Sequence, residues 1–376
     1  MASSIHAQVT DPYPKLTRHA LRAPKNLKDN VLTLVPYLTS ACKTEEEKLW
    51  TIYAWLIHNI QYDQEAYKNG NRRINRHNRD ILDRQKAVCF GYSQLFKTMA
   101  ELAGFSTEMI FGYSKGTITS APQLNEPDHA WNAVLLEGRW RLLDVTWGRG
   151  IINQENDFVQ TFHEGFFLTS PEKFIVNHLP LIPMWQLLAC PIGTQDFKME
   201  AAQIYQKAIQ PDSCFNYADN IAQFLALPLP ERRLKEAQLS YEFNPTTDIK
   251  EDYGHALYDY AGRLSDQADQ LQSKGDISGY MALQQKAIAA CQLGATLSQL
   301  FDWQIDLHAG LLLNQSIAQY SLLEDIEDPK TLETRKKNLL RQLQSAQQLI
   351  RSNDINFIRR AQLTNIDKLV DALEEF

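Results

Sequence analysis

The sequence predicts an α+β fold, with a cysteine-bearing helix backed by antiparallel sheet and an all-helical domain after it. Three observations carry that expectation. An apolar helical stripe begins at Cys89, three runs rich in β-branched and aromatic residues follow it, and beyond residue 190 only helical periodicity remains. With 376 residues, 44% hydrophobic and 10% aromatic, the chain can bury a substantial core and is long enough for two domains.

Taken in order, residues 45–62, EEEKLWTIYAWLIHNIQY, set Leu49, Tyr53, Leu56 and Ile60 at steps of three and four, the period of an amphipathic helix. Thr44 stands where an N-cap belongs, and the acidic residues after it complement the helix dipole. Residues 68–84 are polar and rich in Asn and Arg, which reads as a solvated loop rather than a binding patch. Next comes AVCFGYSQLFKTMAELAGF, with Tyr92, Leu95, Phe96, Met99 and Leu102 at helical spacing and Gly104 at the C-terminal cap. Cys89 therefore opens a helix.

The runs TEMIFGYS, HAWNAVLL and RWRLLDVTW read as strands. Glu137 and Gly138 form a two-residue turn between the last two, so Leu136 pairs with Arg139 and His129 faces Thr146. Asp144 then lies on the same face as Thr146, diagonal to His129 at a backbone separation of ~7 to 8 Å, from which side chains can meet. Residues 164–188 form an irregular, Pro-containing aromatic segment expected to pack across the sheet and close the domain. The boundary is placed near Pro191, giving a first domain at 25–190 and a helical one at 195–376. In the latter, residues 255–274 carry Leu257, Tyr260, Leu264, Ala268 and Leu271 on one stripe, ended by Gly275. Further helices are expected near 281–300, 303–323, 332–350 and 356–373, without a recurring signature.

Composition excludes several functions. The formal net charge of -7 supplies no field for phosphates, so nucleic acid is not an expected partner. No apolar run is long enough to span a membrane. The N-terminus lacks a secretory signal, although AQVTDPYPKL is similar to the mature starts of secreted bacterial proteins, which tips the expectation slightly toward export. Cys42, Cys89, Cys190, Cys214 and Cys291 are odd in number and widely spaced without CxxC, which argues against both a disulfide framework and a zinc ribbon. No HExxH or paired ligand spacing occurs, so no metal or other cofactor is expected. His6, His19, His58, His77, His163, His178, His255 and His308 have no evident partners.

The chemistry gathers on Cys89, His129 and Asp144. A cysteine nucleophile acts as the thiolate, which the partial positive charge of a helix N-terminus favours. A histidine and a carboxylate on neighbouring strands supply a base and its orienting group. Gly112-Tyr113-Ser114-Lys115-Gly116 also fits a serine nucleophile elbow, but TITSAPQLNEP after it has two prolines and no apolar stripe, so no helix follows the serine.

The segments AVCFGYSQLFKTMAELAGF, DHAWNAVLLEGRW and LLDVTWG, preceded by WTIYAWLIHNIQYD, resemble the transglutaminase-like superfamily of papain-fold proteins. PEKFIVNHLPLIPMWQLL is similar to the tail of its bacterial members. The resemblance implies a papain-like core with Cys89, His129 and Asp144 as catalytic triad. It also implies acyl transfer on amide bonds of a protein or peptide substrate, with peptide or isopeptide hydrolysis ahead of cross-linking, for which no calcium-site or Gln-donor signature is seen. A different class of function is a catalytically silent module that binds through the helical C-terminal half. Oligomeric state is left open.

Overall fold

The computed structural model describes residues 11–70, 77–116, 124–153, 157–210 and 214–376. The first ten residues, part of the polar loop, all of TITSAPQ and the stretches 154–156 and 211–213 lie outside the described residues. The chain forms two compact units, Met1–Gln223 and Phe224–Phe376. This division falls beyond the change in periodicity at 190–195. Phe197 and Ile204 are buried, and Lys115 of the first unit donates to the Met199 carbonyl at 2.6 Å.

The helices of the first unit are α1 Pro14–Leu21, α2 Val31–Thr39, α3 Glu45–Asn59, α4 Gln64–Lys68, α5 Asn78–Arg84, α6 Cys89–Leu102, α7 Val145–Arg149, α8 Pro171–Phe174, α9 Ala201–Ala208 and α10 Tyr217–Ala226, the last crossing the division. Its strands are β1 Gln61–Tyr62, β2 Lys86–Ala87, β3 Thr107–Ser114, β4 His129–Leu136, β5 Arg139–Leu143, β6 Gly150–Ile152, β7 Phe158–Gln160 and β8 His178–Pro180. Thr44 and Glu47 close a capping box on α3, which satisfies amides that the helix itself cannot. Every residue from Leu49 to Ile57 is buried, so α3 is the central helix of the unit rather than an amphipathic surface one. Tyr92, Leu95, Phe96 and Met99 of α6 pack into the same core, whereas Leu102 is 45% exposed, because α6 ends there.

Four strands form the main sheet, in the order β5-β4-β3-β8. Glu137 and Gly138 both take positive φ, +50° and +75°, as a tight hairpin turn of the primed kind requires. Leu136 pairs with Arg139 and Asn132 with Leu143, the register that the turn predicts. The ladder stops there. Asp144 turns the chain into α7, so the expected strand continuation through Thr146 does not form, and His129 and Thr146 are not ladder partners. The segment after residue 164 also departs from expectation: within it β8 joins the edge of the sheet antiparallel to β3, with Ser114 opposite His178 and Gly112 opposite Pro180.

In the second unit the helices are α11 Leu229–Phe243, α12 Thr247–Ser273, α13 Ile277–Leu297, α14 Asp302–Tyr320, α15 Pro329–Arg351 and α16 Phe357–Glu375. Leu257, Tyr258, Ala261, Leu264, Ala287, Cys291, Leu343 and Ile366 are among the residues of its core. Fully buried Arg359 of α16 bonds Asp306 at 2.7 Å and Asp302 at 2.8 Å, tying α16 to α14.

Candidate active site

Cys89 occupies the first position of α6, where the helix amides lack intrahelical acceptors. The helix is held to β4 one turn further on: Ser93 Oγ donates to the Ala130 carbonyl at 2.9 Å, and Asn132 Nδ2 donates to the Ser93 carbonyl at 3.0 Å. These bonds lie beside His129, the first residue of β4, and fix the helix start against the strand start.

His129 Nε2 stands 2.6 Å from Oδ2 of Asp144. Its other side-chain partner is Cys89, and Nδ1 is the ring nitrogen that Asp144 leaves free. Asp144 is placed by α7 rather than by a ladder. As N-cap, its Oδ1 accepts from the amides of Thr146 at 2.7 Å and Trp147 at 3.1 Å, which turns Oδ2 toward the histidine. Gly148 lets α7 sit directly on α3, since a β-carbon there would meet the Tyr53 hydroxyl oxygen at 1.9 Å. Asp144 is fully buried, while Cys89 and His129, also buried, keep 9% and 8% of their surfaces exposed, so the carboxylate is the most enclosed of the three.

His178 belongs to this site as well. Its Nε2 lies 3.0 Å from the same Oδ2 of Asp144. The ring is buried in an aromatic box, stacked on Phe174 at 4.1 Å and set against Trp147 at 4.5 Å and Trp131 at 5.1 Å. The expectation that His178 lacks a partner is therefore corrected. It was hidden because β8 is three residues long and carries no alternating pattern from which its pairing could be read. Gly112 makes the meeting possible. It pairs with His129 on one side and Pro180 on the other, and a β-carbon there would come within 2.5 Å of Trp131 Cη2 and 2.2 Å of the Leu179 carbonyl oxygen. The first glycine of the serine-elbow pattern thus serves a close approach of side chains and strand.

Electrostatics follow from burial and pairing. Burial would lower His129, but the Asp144 carboxylate and Cys89 outweigh it and hold the imidazole well above its ordinary 6.5. Burial would raise Asp144, yet His129 and His178 hold it below the usual carboxylate range. Burial dominates at His178 and pushes it down to about 4.

The ligand atoms of His129, Asp144 and His178 lie within 4.8 Å of one another, a grouping with metal-ligand proximity among the described residues that spacing in the sequence did not suggest. Its distances are those of hydrogen bonds: both ring nitrogens approach one oxygen to 3.0 Å or less, whereas ligands of a tetrahedral zinc stand ~3.3 Å apart. Of the other cysteines, Cys190 and Cys214 are joined in a disulfide, contrary to the sequence expectation. Cys42 and Cys291 are free, and burial raises both thiols, Cys291 to about 12.

Residues 32–145 match the family profile of the Transglutaminase-like superfamily, and the first unit carries a transglutaminase-like core. A Mus musculus protein named kyphoscoliosis peptidase is 39% identical over 175 residues, covering 46% of this chain and 26% of that protein. The Homo sapiens protein of that name is 40% identical over 168 residues, covering 44% and 25%. Hillarin of Drosophila melanogaster is 29% identical over 210 residues, covering 50% and 25%. The chain spans about a quarter of the length of these relatives. All three are animal proteins, so the expected bacterial affiliation finds no support among them.

Proposed function

We propose that this chain performs thiol-dependent acyl transfer on amide bonds, with Cys89 as nucleophile, His129 as acid and base and Asp144 as the group that orients the histidine. The observation that carries this reading is the chain of contacts Cys89–His129–Asp144, with 2.6 Å between ring and carboxylate and the cysteine at a helix start. Cys89 Sγ attacks the amide carbonyl, and His129 gives its Nδ1 proton to the nitrogen as the C–N bond breaks. Water then attacks the thioester and yields a proton to His129, and the C–S bond breaks to return the thiolate. Throughout, Asp144 keeps the ring aligned and favours its charged form. The backbone amide of Cys89 supplies a donor to the developing oxyanion, since it opens a helix and has no intrahelical acceptor.

Hydrolysis of peptide or isopeptide bonds is favoured over amine transfer. Water is abundant, and two relatives carry the name peptidase. The test is labelling by a thiol-directed activity probe, followed by a peptide and amine substrate screen on wild type and Cys89→Ala. Probe labelling and turnover that both vanish in the variant support the reading. Turnover surviving in Cys89→Ala, or absent labelling of native Cys89, overturns it, and amine incorporation outpacing hydrolysis at modest amine concentration overturns the hydrolytic assignment.

A further inference from the structure

Two imidazoles converge on one carboxylate oxygen, and only one of them touches the cysteine. We propose that His178 is a positioning residue of this site: it donates Nε2–H to Oδ2 of Asp144, fixing the carboxylate for His129 and tempering its pull on the proton of that ring. The inference rests on the triad reading of Cys89, His129 and Asp144.

The geometry determines which nitrogen carries hydrogen. Nε2 faces Asp144 at 3.0 Å, and Nδ1 lies 2.6 Å from the Asn177 carboxamide oxygen, with the Phe174 carbonyl also near the ring. A ring charged at both nitrogens would satisfy every acceptor. That charge would sit fully buried among Phe174, Trp131 and Trp147, with the His129 ring at 5.4 Å, and burial pushes His178 down to about 4. With one proton, a bare Nε2 lone pair against the carboxylate is repulsive, so the proton belongs on Nε2. Asn177 then serves Nδ1 from its amide nitrogen after a half-turn of its carboxamide.

Two consequences follow. Oδ1 is held by the amides of Thr146 and Trp147 and Oδ2 by His178, so Asp144 cannot swing away when the His129 ring moves toward a leaving group. The His178 N–H also points its positive end at the oxygen that stabilises imidazolium on His129. The titratable groups that face His178 are Asp144 and His129, and those that face His129 are Cys89, Asp144 and His178. Removing the donor leaves Asp144 with more charge for His129 alone, so the imidazolium should persist to higher pH.

The experiment is NMR of the full chain with ring-¹⁵N histidine, titrated from about pH 5 to 9. His178 is expected to keep a single proton, on Nε2, across the range. A His178 that titrates there, or carries its proton on Nδ1, overturns the proposal. This readout needs no substrate, so it stands apart from the triad reading, which probe labelling of Cys89 tests. Two variants then separate positioning from packing. His178→Phe keeps the stack on Phe174 without a donor, and His178→Gln returns an amide N–H. The protonation midpoint of His129 should rise by about 0.5 in pH in His178→Phe and return to the wild-type value in His178→Gln. A midpoint that stays or falls in His178→Phe, or moves equally in both variants, makes the ring mere packing and overturns the proposal. Should His178→Phe fail to fold, the wild-type tautomer decides alone.

Discussion

Asp144 holds His129 with one oxygen and the start of α7 with the other, Oδ2 lying 2.6 Å from Nε2 while Oδ1 accepts two backbone amides. Stability and orientation are thus joined in one side chain and can be parted by substitution. Asp144→Ala loses the cap, about 1 kcal/mol, and leaves a buried histidine without its partner, so a total loss of about 3 kcal/mol is expected. Asp144→Asn keeps an oxygen for the cap but turns an amide donor toward Nε2, so much of the stability should survive. Turnover should fall ~10²- to 10⁴-fold in both variants, less than on loss of Cys89. Thermal unfolding beside turnover checks this; an Asp144→Asn variant as active as wild type would remove the orienting role.

His129 and His178 should shape the pH dependence of stability in opposite senses. Folding raises His129 above 6.5, burial being outweighed by Asp144 and Cys89, so its contribution is complete below ~6.5 and is lost as pH rises through the folded value. Folding lowers His178 to about 4 through burial, so stability is lost as pH falls from ~6.5 toward that value. The two slopes meet, and Tm should peak near pH ~6.5. His178→Phe should flatten the acid side and carry the alkaline loss about 0.5 in pH higher, with the rise in the His129 midpoint, and His129→Phe should flatten the alkaline side. Unfolding scans at intervals between pH 4.5 and 9 measure it, and a profile flat across that range in wild type would contradict both assignments.

Among the free cysteines the environments differ enough to predict selective alkylation. Burial raises the thiols of half-buried Cys42 and of Cys291, which is fully enclosed in the helical unit, whereas Cys89, itself buried, opens α6 beside His129. Without reductant, so that Cys190 and Cys214 stay joined, iodoacetamide at pH ~6 should modify one site per chain, found at Cys89 by peptide mapping. Modification led by Cys42 or Cys291 would show that the helix start and histidine confer no advantage.

Sequence periodicity revealed the parts of the site that obey local rules. The stripe from Tyr92 to Met99 placed Cys89 at a helix start, and the Glu137-Gly138 turn fixed the register from Asn132–Leu143 to Leu136–Arg139. The route to Asp144 was not legible, because its capping of α7 reads in sequence like two more strand residues: Val145 and Thr146 are β-branched. His178 escaped for another reason. Its strand pairs only across a long sequence gap with β3, and its ring is paired with a carboxylate contributed by another element. The disulfide between Cys190 and Cys214 was likewise a matter of proximity, with Cα atoms 5.2 Å apart, that spacing could not supply.

The pattern Gly112-x-Ser114-x-Gly116 gives a last prediction, because the two readings of it assign importance to different residues. If Ser114 were a nucleophile, its replacement would end activity and Gly112 would matter only for the sharpness of a turn. In the structure both residues lie in β3, and Gly112 is the contact point: an added β-carbon would meet the Leu179 carbonyl oxygen at 2.2 Å, Trp131 Cη2 at 2.5 Å and the Pro180 Cα at 2.8 Å. Two of those three atoms are backbone and cannot rotate aside, so β8 must shift, and His178 moves with it. Gly112→Ala is therefore expected to cost about 3 kcal/mol and to lower turnover along with stability, since it disturbs the strand that carries His178 and the indole beside His129. Ser114→Ala, by contrast, should change stability by less than about 0.5 kcal/mol and leave turnover near the wild-type value. Measuring both variants for Tm and for turnover on the same substrate decides the matter: loss of activity in Ser114→Ala at unchanged stability would restore the serine and displace Cys89.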